Sequence, residues 1–199
     1  MATSSSSPTD LDAWLDAVLA APGLTAIRDP DRARAMLLDD ALRALPLLDR
    51  FDGPVVDVGS GGGSPGIPLA VALPGREFTL LEAERRKCDF LRRWAPPNAA
   101  VVWGRAEVQP LESFGVALAK ALAQPAVAVE WCLPLVRTGG AAMLFAGREA
   151  DLESLERVSG LLGGGTPEDR DGLVVVPKLE PTPPGFPRRV GVAKKRPLA

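Results

Sequence analysis

The chain has 199 residues, of which 46% are hydrophobic and 24% charged, which is ordinary for a globular domain and excludes a wholly disordered chain. The formal net charge of −2 excludes a surface coated in positive charge, so any nucleic-acid contact must be local. The sequence contains no histidine and no tyrosine, which excludes His-based triads, His-ligated metals and tyrosine acid chemistry.

The sequence shows no sign of a leader, a membrane span or a metal site. MATSSSSPTD contains no basic residue followed by an apolar stretch, and no later segment offers the roughly 18 uncharged apolar residues that a membrane helix needs. We therefore expect a cytoplasmic protein. Cys88 and Cys132 lack CxxC spacing and stand in predicted helices, so we expect them to pack in the core.

The first fifty residues are predicted to form a tail and two helices that precede the sheet. Residues 1–9 are Ser-rich and expected to be frayed. An amphipathic helix that ends at Pro22 and Gly23 is predicted from the spacing of Leu11, Trp14, Leu15, Val18 and Leu19. Asp29-Pro30-Asp31 offers a cap for a second helix, which carries Ala35, Leu37, Leu38, Leu42, Leu45 and Leu48. We therefore divide the chain into an N-terminal tail and helical segment, residues 1–50, and a main domain, residues 51–199, folded as a single unit.

From Pro54 onward, strand-like and helical runs alternate, which predicts an α/β fold with a parallel sheet covered on both faces. The first four strands are PVVDVG, EFTLLEA, AAVVWGR and GVALAKAL, with helices at PLAVAL, KCDFLRRWA and Val127–Val136. The later strands are AAMLFAG, GLVVVPKL and RRVGVAKK, with a helix over residues 149–162. The turn EPTPPGFP favours an antiparallel edge hairpin made of the last two strands. We therefore expect a mostly parallel, seven-stranded sheet.

The most informative segment is VVDVGSGGGSPGIPLA, in which an apolar strand ends at Asp57 and runs through a glycine-rich turn into a helix. Glycines let the backbone approach a ligand closely, and the helix start presents free N–H groups that suit a carboxylate or phosphate. The next strand ends at Glu82, nineteen residues after Gly63, where a carboxylate can accept hydrogen bonds from ribose hydroxyls. Together these features indicate an adenosine-type ligand.

Three interpretations of the glycine turn stay open. The spacing GxGxG followed by Ser64-Pro65 departs from the GxGxxG of dinucleotide sites and favours S-adenosylmethionine. NAD or FAD stays open because a ribose-binding acid fits them as well, and a purely structural turn is the third interpretation. The third strand delivers Arg105-Ala106-Glu107 to the same rim, where Glu107 is either a contact for the adenine edge or an exposed loop acid.

Two basic clusters could supply local RNA contacts. One lies on a predicted helix and the other near the C-terminus, and each is alternatively a solvated surface. The first comprises Arg85, Arg86, Lys87, Arg92 and Arg93, and the second Arg188, Arg189, Lys194, Lys195 and Arg196.

Together these segments resemble one family, the GidB/RsmG-type methyltransferases that modify guanine N7 in small-subunit ribosomal RNA. The resemblance spans nearly all of the chain after about Leu24. It rests on LTAIRDPDRARAMLLDDAL, DVGSGGGSPGIPLA, LLEAERRKCDFL, GRAE, AKALA, EWCLPLVRTGG and PRRVGVAKKRPL. It implies a Rossmann-like S-adenosylmethionine-dependent methyltransferase fold in which the first helices cap the sheet.

The resemblance also implies the site residues. It implies a cofactor pocket formed by Gly59, Ser60, Gly61, Gly63, Glu82, Ala106 and Glu107, with Lys120 and Arg188 close to the RNA. To these we add Asp57 and Ala83 as cofactor-binding residues and Arg189, Lys194 and Lys195 of the basic tail as RNA-binding residues. The chain departs from the family pattern at Gly115 (usually aspartate), Lys120 (usually arginine), Ala146 (often lysine) and Gly23 (commonly asparagine). We expect these departures at the mouth of the site, where they bear on rate, target base and RNA contacts.

Methylation of guanine N7 needs few catalytic residues, because N7 carries an exposed lone pair and the methylsulfonium is already an electrophile. Neither deprotonation nor a metal is required, and holding the reacting atoms about 3–3.5 Å apart supplies on the order of 7–11 kcal/mol of the barrier. We expect Lys120, on the loop after the fourth strand, to be the catalytic contact with the target phosphate or guanine O6. Ala119-Lys120-Ala121 replaces the Asp/Asn-Pro-Pro-aromatic turn of amino-group methyltransferases, and the helical Cys132 argues against a pyrimidine C5 enzyme.

The leading hypothesis is thus a monomeric enzyme that methylates N7 of a guanine in 16S ribosomal RNA, free or in its ribonucleoprotein. Two alternatives stay open. One is a non-catalytic relative that binds cofactor or RNA during ribosome assembly, and it is motivated by the substitutions at Gly115, Lys120 and Ala146. The other is a methyltransferase for a small molecule or a protein, which the slightly acidic composition permits.

Overall fold

A computed structural model describes residues 9–147 and 150–199 of the chain. The segment expected to be frayed lies outside the described residues except for Thr9, as does Glu149 at the start of the helix predicted over residues 149–162. Within the described part, no helix is both long and apolar enough to span a membrane.

The N-terminal cap begins with α1, Leu11–Ala20, where the Asp10 carboxylate accepts hydrogen bonds from the amides of Asp12 and Ala13 at 3.0 and 3.1 Å. The second predicted helix begins as expected, with Asp29 as its N-cap and Pro30 in its first turn. It is not continuous, however, because a π-helical turn interrupts it and a further break follows. The pieces are α2 Pro30–Ala33, the π turn Arg34–Asp39, α3 Asp40–Leu42 and α4 Leu45–Leu48.

The rest of the described chain builds the sheet and its covering helices. The strands are β1 Val55–Val58, β2 Phe78–Glu82, β3 Ala99–Trp103, β4 Phe114–Lys120, β5 Val136–Phe145, β6 Glu168–Arg170 and β7 Leu173–Pro177. The helices are α5 Gly66–Ala72, α6 Arg85–Trp94, α7 Pro125–Cys132, α8 Leu152–Leu161 and α9 Val192–Lys195, with 3₁₀ turns at Ala106–Val108 and Leu133–Leu135.

The strand order is β3-β2-β1-β4-β5-β7-β6. Strands β1 to β5 pair in parallel, whereas β7 pairs antiparallel with both β5 and β6. The expected seven-stranded, mostly parallel sheet with an antiparallel edge hairpin is therefore confirmed. Because β2 and β4 lie on opposite sides of β1, the sheet has a topological switch point between β1 and β4.

Two predicted elements are wrong. The edge hairpin is formed by β6 and β7, and the predicted strand RRVGVAKK contains instead the single helical turn α9 after Gly191, whose φ is +80°. A left-handed residue at that position interrupts an extended strand. The helix predicted over Val127–Val136 starts earlier, at Pro125, and ends at Cys132, because Pro134 introduces a 3₁₀ turn before β5.

Alternate residues of each inner strand fill the cores on the two faces of the sheet, as period-2 side-chain geometry requires. Val56 and Val58 of β1 face a core covered by α7 and α8, while Val55 faces a core closed by α4 and α5. A third cluster joins the cap to the sheet and contains Trp14, Leu15, Val18, Ala33, Ile67, Leu80 and Leu91. The two cysteines are free and buried, as expected for packing residues.

Candidate active site

A cavity of about 680 Å³ opens at the switch point, where the carboxyl ends of β1 and β4 meet the N-terminal cap. This volume lies within the roughly 300–1,000 Å³ range of small-molecule sites, and the position is the one where open α/β sheets bind ligands. Seven of the nine predicted cofactor-binding residues line it: Gly59, Ser60, Gly61, Glu82, Ala83, Ala106 and Glu107. The fold therefore brings most of the predicted cofactor residues together around one cavity.

The glycine loop between β1 and α5 is shaped by residues that need positive φ. Gly59 and Gly63 have φ values of +72° and +103°, and an added Cβ would lie 2.3 Å from Leu122 Cδ1 or 2.4 Å from Ile67 Cδ1, respectively. The left-handed backbone thus favours glycine at both positions, and a larger residue would also displace the neighbouring side chain. Gly61, at φ +55°, differs because an added Cβ would find Gly59 O at 3.8 Å as its nearest neighbour. The space beside Gly61 is open cavity.

Asp57 is buried beneath the glycine loop and does not line the cavity. Its side chain is 1% exposed and accepts a hydrogen bond from the Gly66 amide at 3.1 Å, which fixes the start of α5 against β1. Burial raises the pKa of Asp57 to about 7. Gly63 likewise lies outside the cavity lining, against Ile67 and Trp14. These two predicted cofactor residues therefore shape the loop from outside the cavity.

Glu82, the last residue of β2, is the acid that the sequence singled out beside the loop. It is 6% exposed, and its two carboxylate oxygens accept hydrogen bonds from the amides of Gly61 at 2.9 Å and Glu84 at 2.8 Å. Each carboxylate oxygen can accept a further hydrogen bond. The side chain is thus held rigidly at the cavity wall with acceptor capacity left for hydroxyl groups.

Lys120 lines the cavity at the carboxyl end of β4 and is tied to the cap. Its Nζ lies 2.6 Å from Asp40 Oδ2, donates to the backbone oxygen of Met36 and sits 5.1 Å from the centre of the Phe145 ring. Burial alone would raise the pKa of Asp40, but hydrogen bonds from Lys120 and Arg43 outweigh it and lower that pKa. An ionised Asp40 therefore orients the ammonium group.

The C-terminal segment crosses the rim beside the predicted adenine contact. Glu107 Oε1 accepts a hydrogen bond from the Gly191 amide at 3.1 Å, and Lys194 lines the cavity. Arg188 instead makes a bidentate ion pair with Glu130, which is 1% exposed, and this pairing raises the pKa of Arg188. Among the predicted RNA contacts, Lys120 and Lys194 reach the cavity, whereas Arg188, Arg189 and Lys195 do not line it.

Sequence reasoning missed the contribution of the cap to the cavity. Trp14 donates its indole N–H to the backbone oxygen of Gly62 at 2.9 Å, and Ser64 Oγ donates to the backbone oxygen of Leu37 at 2.7 Å. Trp14 and Leu37 appeared in the helical pattern only as core positions. No local signal in the sequence pairs them with the glycine loop. Across the described ranges, no group of three or more Cys, Asp or Glu side chains could hold a metal ion.

The departures from the family pattern do not all lie at the mouth of the site, which corrects that expectation. Gly115 is the second residue of β4, at the opposite end of the strand from Lys120. An added Cβ at Gly115 would lie 1.8 Å from the backbone oxygen of Asp52, so this backbone accepts no aspartate there. Gly23 and Ala146 are also outside the cavity lining, which leaves Lys120 as the departure at the site.

Comparison with known proteins identifies relatives of this chain. The profile of the family described as rRNA small subunit methyltransferase G (GidB) matches residues 12–160. Ribosomal RNA small subunit methyltransferase G of Synechococcus sp. (strain JA-2-3B'a(2-13)) is 38% identical, covering 88% of this chain and 78% of that protein. The enzyme of the same name from Moorella thermoacetica is 36% identical, covering 88% and 82%.

The solved structure of the T. thermophilus 16S rRNA N2 G1207 methyltransferase (RsmC), in complex with AdoMet and guanosine, shares the fold. Its TM-score is 0.58 at 18% identity, covering 82% of this chain, which spans 42% of that longer one. This likeness confirms the Rossmann-like methyltransferase fold. The profile match and the identities above 30% settle the family: the chain belongs to the rRNA small subunit methyltransferase G (GidB) family of enzymes.

Proposed function

We propose that this protein transfers a methyl group from S-adenosylmethionine to N7 of a guanine in 16S ribosomal RNA. One observation carries the proposal most directly: the Glu82 carboxylate is locked against the Gly61 amide at the wall of a ligand-sized cavity at the switch point. The names of its relatives, which are small-subunit rRNA methyltransferases, support the substrate class.

The residues present fit an S-adenosylmethionine molecule. Glu82 retains acceptor capacity for ribose hydroxyls, and the open space beside Gly61 admits a ligand against the backbone. Gly62 also lines the cavity, and its amide donates to no described residue. When bound, this cofactor supplies an electrophilic methyl group.

The chain's own residues then have to bind and orient the two substrates and exclude water from the cavity. Guanine N7 needs no proton removed, so the absence of histidine and tyrosine is compatible with the reaction. We propose that Lys120, oriented by Asp40, contacts the target phosphate or guanine O6 at the cavity. The helices between Leu11 and Leu48 cap the domain of residues 51–199, and the enzyme works as a cytoplasmic monomer on its RNA.

The proposal is tested by incubating the protein with labelled S-adenosylmethionine and small-subunit RNA from cells that lack the enzyme. The RNA is offered both deproteinised and as immature subunits. Chemically induced strand cleavage then maps N7-methylguanosine, and we expect label at one guanine. Cofactor binding without transfer to either RNA form would indicate a non-catalytic assembly factor, and transfer only to non-RNA substrates would indicate the other methyltransferase class.

The same assay tests Lys120. We expect Lys120→Ala to slow transfer about tenfold or more, since a contact made in the transition state is lost. Lys120→Arg, which restores the residue usual in the family, should retain activity. Both variants should bind S-adenosylmethionine within about threefold of wild type. Full activity of Lys120→Ala on authentic RNA would remove this residue from the mechanism.

A further inference from the structure

Trp103 is the one aromatic side chain in the described part of the chain that is largely exposed to solvent. It is the last residue of β3, the edge strand at one side of the sheet, and it is 59% exposed. A large ring at the carboxyl end of an edge strand stands on the same rim as the cavity. The next two residues, Gly104 and Arg105, line the cavity itself.

The exposed ring is held in place. The Trp103 indole N–H donates to the backbone oxygen of Ala83 at 2.9 Å, which fixes the side chain against the end of β2. The Arg85 guanidinium carbon lies 5.8 Å from the centre of the ring, within the range of a cation–π contact. The ring is thus held in one orientation with the Arg85 guanidinium over one of its faces, so little side-chain ordering entropy is lost when a planar group binds.

Two arginines stand at this rim of the sheet: Arg85, the first residue of α6, and Arg105, two residues after Trp103. On α6, Lys87 pairs with Glu84 at 2.8 Å and Arg92 pairs with Asp89 at 2.8 Å. No Asp or Glu of residues 9–147 or 150–199 forms an ion pair with Arg85 or with Arg105. An aromatic ring with two arginines on the same rim, neither paired with an acid of the described residues, is complementary to a nucleotide, which offers both a base that stacks and an anionic phosphate.

We propose that Trp103, Arg85 and Arg105 form a stacking platform for one unpaired nucleotide of the RNA substrate, beside the cofactor cavity. This inference rests on the proposed function, because it takes RNA as the substrate. A single-stranded segment fits better than a duplex, since proteins stack unpaired bases on aromatic side chains and arginine planes. The platform would hold RNA that flanks the target base and take no part in methyl transfer.

The test compares three variants: Trp103→Ala, Trp103→Phe and Leu161→Ala, the last a control at a half-exposed apolar residue of α8. Affinity for a short single-stranded RNA and for a duplex of the same length is measured by fluorescence anisotropy at fixed salt. We expect Trp103→Ala to weaken single-strand binding about 5- to 100-fold and duplex binding little. Trp103→Phe keeps an aromatic ring but lacks the indole N–H that donates to Ala83. Near-wild-type RNA binding by this variant would show that stacking, and not the hydrogen bond to Ala83, accounts for the affinity.

The outcomes distinguish this inference from the proposed function. S-adenosylmethionine affinity, measured by calorimetry, should be unchanged in all three variants, and Arg85→Ala should lower the salt dependence of RNA binding.

If wild type methylates RNA but Trp103→Ala binds and methylates it equally well, the platform is wrong and the function stands. If only methylation of assembled subunits falls, the ring contacts a protein and the platform is likewise wrong. If wild type transfers no methyl group to RNA, the proposed function fails and the platform with it.

Discussion

Gly61 combines a left-handed backbone with open space at its α-carbon, so a side chain there would enter the cavity. We expect Gly61→Val to weaken S-adenosylmethionine binding about tenfold or more, because the isopropyl group takes up ligand volume. Equilibrium dialysis with labelled cofactor measures the effect.

A β-branched residue at positive φ also strains the backbone, at a cost of about 1–3 kcal/mol. Gly185→Val provides the matched control, because Gly185 has φ +96°, no neighbour within 4 Å of an added Cβ and a position outside the cavity lining. The control should lose comparable stability and keep full cofactor affinity. Equal loss of binding in both variants would show that strain, and not occupied volume, is responsible.

Lys178 is a fully buried lysine whose Nζ donates to the backbone oxygen of Leu162 at 2.6 Å and to Thr182 Oγ1 at 2.7 Å. Burial lowers its pKa from 10.5 to about 8. Between those pH values the unfolded chain binds the proton more tightly than the folded chain. The free energy of unfolding therefore rises with pH across this window as the penalty of the buried charge disappears.

We expect wild type to gain roughly 1–3 kcal/mol relative to Lys178→Met between pH 7 and pH 10. Urea unfolding at several pH values measures this difference, in which the titrations of all other groups cancel. Lys195→Met, at an exposed lysine, is the control and should show no such trend. A pH-independent difference between wild type and Lys178→Met would contradict the depressed pKa.

At the scale of elements, the C-terminal segment is anchored by Arg188 to the buried Glu130 of α7 and by Gly191 to Glu107. Removing Arg188 leaves a carboxylate buried and unpaired. We expect Arg188→Met to destabilise the protein by up to about 3–5 kcal/mol in urea unfolding. Loss of activity in this variant would then reflect folding as much as RNA contact.

The double variant Arg188→Met/Glu130→Met separates the two effects, because it removes both charges. It should recover most of the lost stability. RNA affinity that stays low in the stable double variant would support the RNA role expected of Arg188, and wild-type affinity would make the residue structural. A single variant as stable as wild type would contradict the importance of this ion pair.

The sequence predicted those elements whose signal is local. VVDV of β1 is buried throughout, as its apolar run indicated, and Asp29 caps the start of α2 as expected. The alternating valines of RRVGVAKK are typical of a strand. The backbone of Gly191 instead takes positive φ and its amide donates to Glu107, a contact with a residue 84 positions earlier that local patterns do not reveal. The three residues of β6 are exposed and charged, and only pairing with β7 makes them a strand.

The contacts of the site likewise fall into those with a local sequence signal and those without one. Gly61 and Glu82 could be predicted because one motif and the strand that follows it contain both. The contact of Trp14 with Gly62 joins residues 48 apart in sequence, and that of Lys120 with Met36 joins residues 84 apart. Both contacts exist only once the cap docks on the sheet, so periodicity and spacing give no indication of them.

At the scale of the whole molecule, the cavity is assembled from the cap, the carboxyl ends of the central strands and the C-terminal segment. Trp14, Asp40 and Gly191 each connect one of the outer parts to a cavity residue. A ligand that binds the assembled cavity and not the unfolded chain stabilises the folded state by an amount that grows with the logarithm of ligand concentration above Kd. Variants that remove one of these three contacts should therefore lower both the affinity for S-adenosylmethionine and the free energy of unfolding.

Calorimetric titration with S-adenosylmethionine tests the central claim most directly, namely that Glu82 and the glycine loop form the site for this cofactor. We expect wild type to bind one equivalent and Glu82→Ala to bind at least about tenfold more weakly, because the carboxylate and its hold on Gly61 are lost. Glu180→Ala, at an exposed acid, should bind like wild type. Folded wild-type protein that takes up no S-adenosylmethionine would contradict the account.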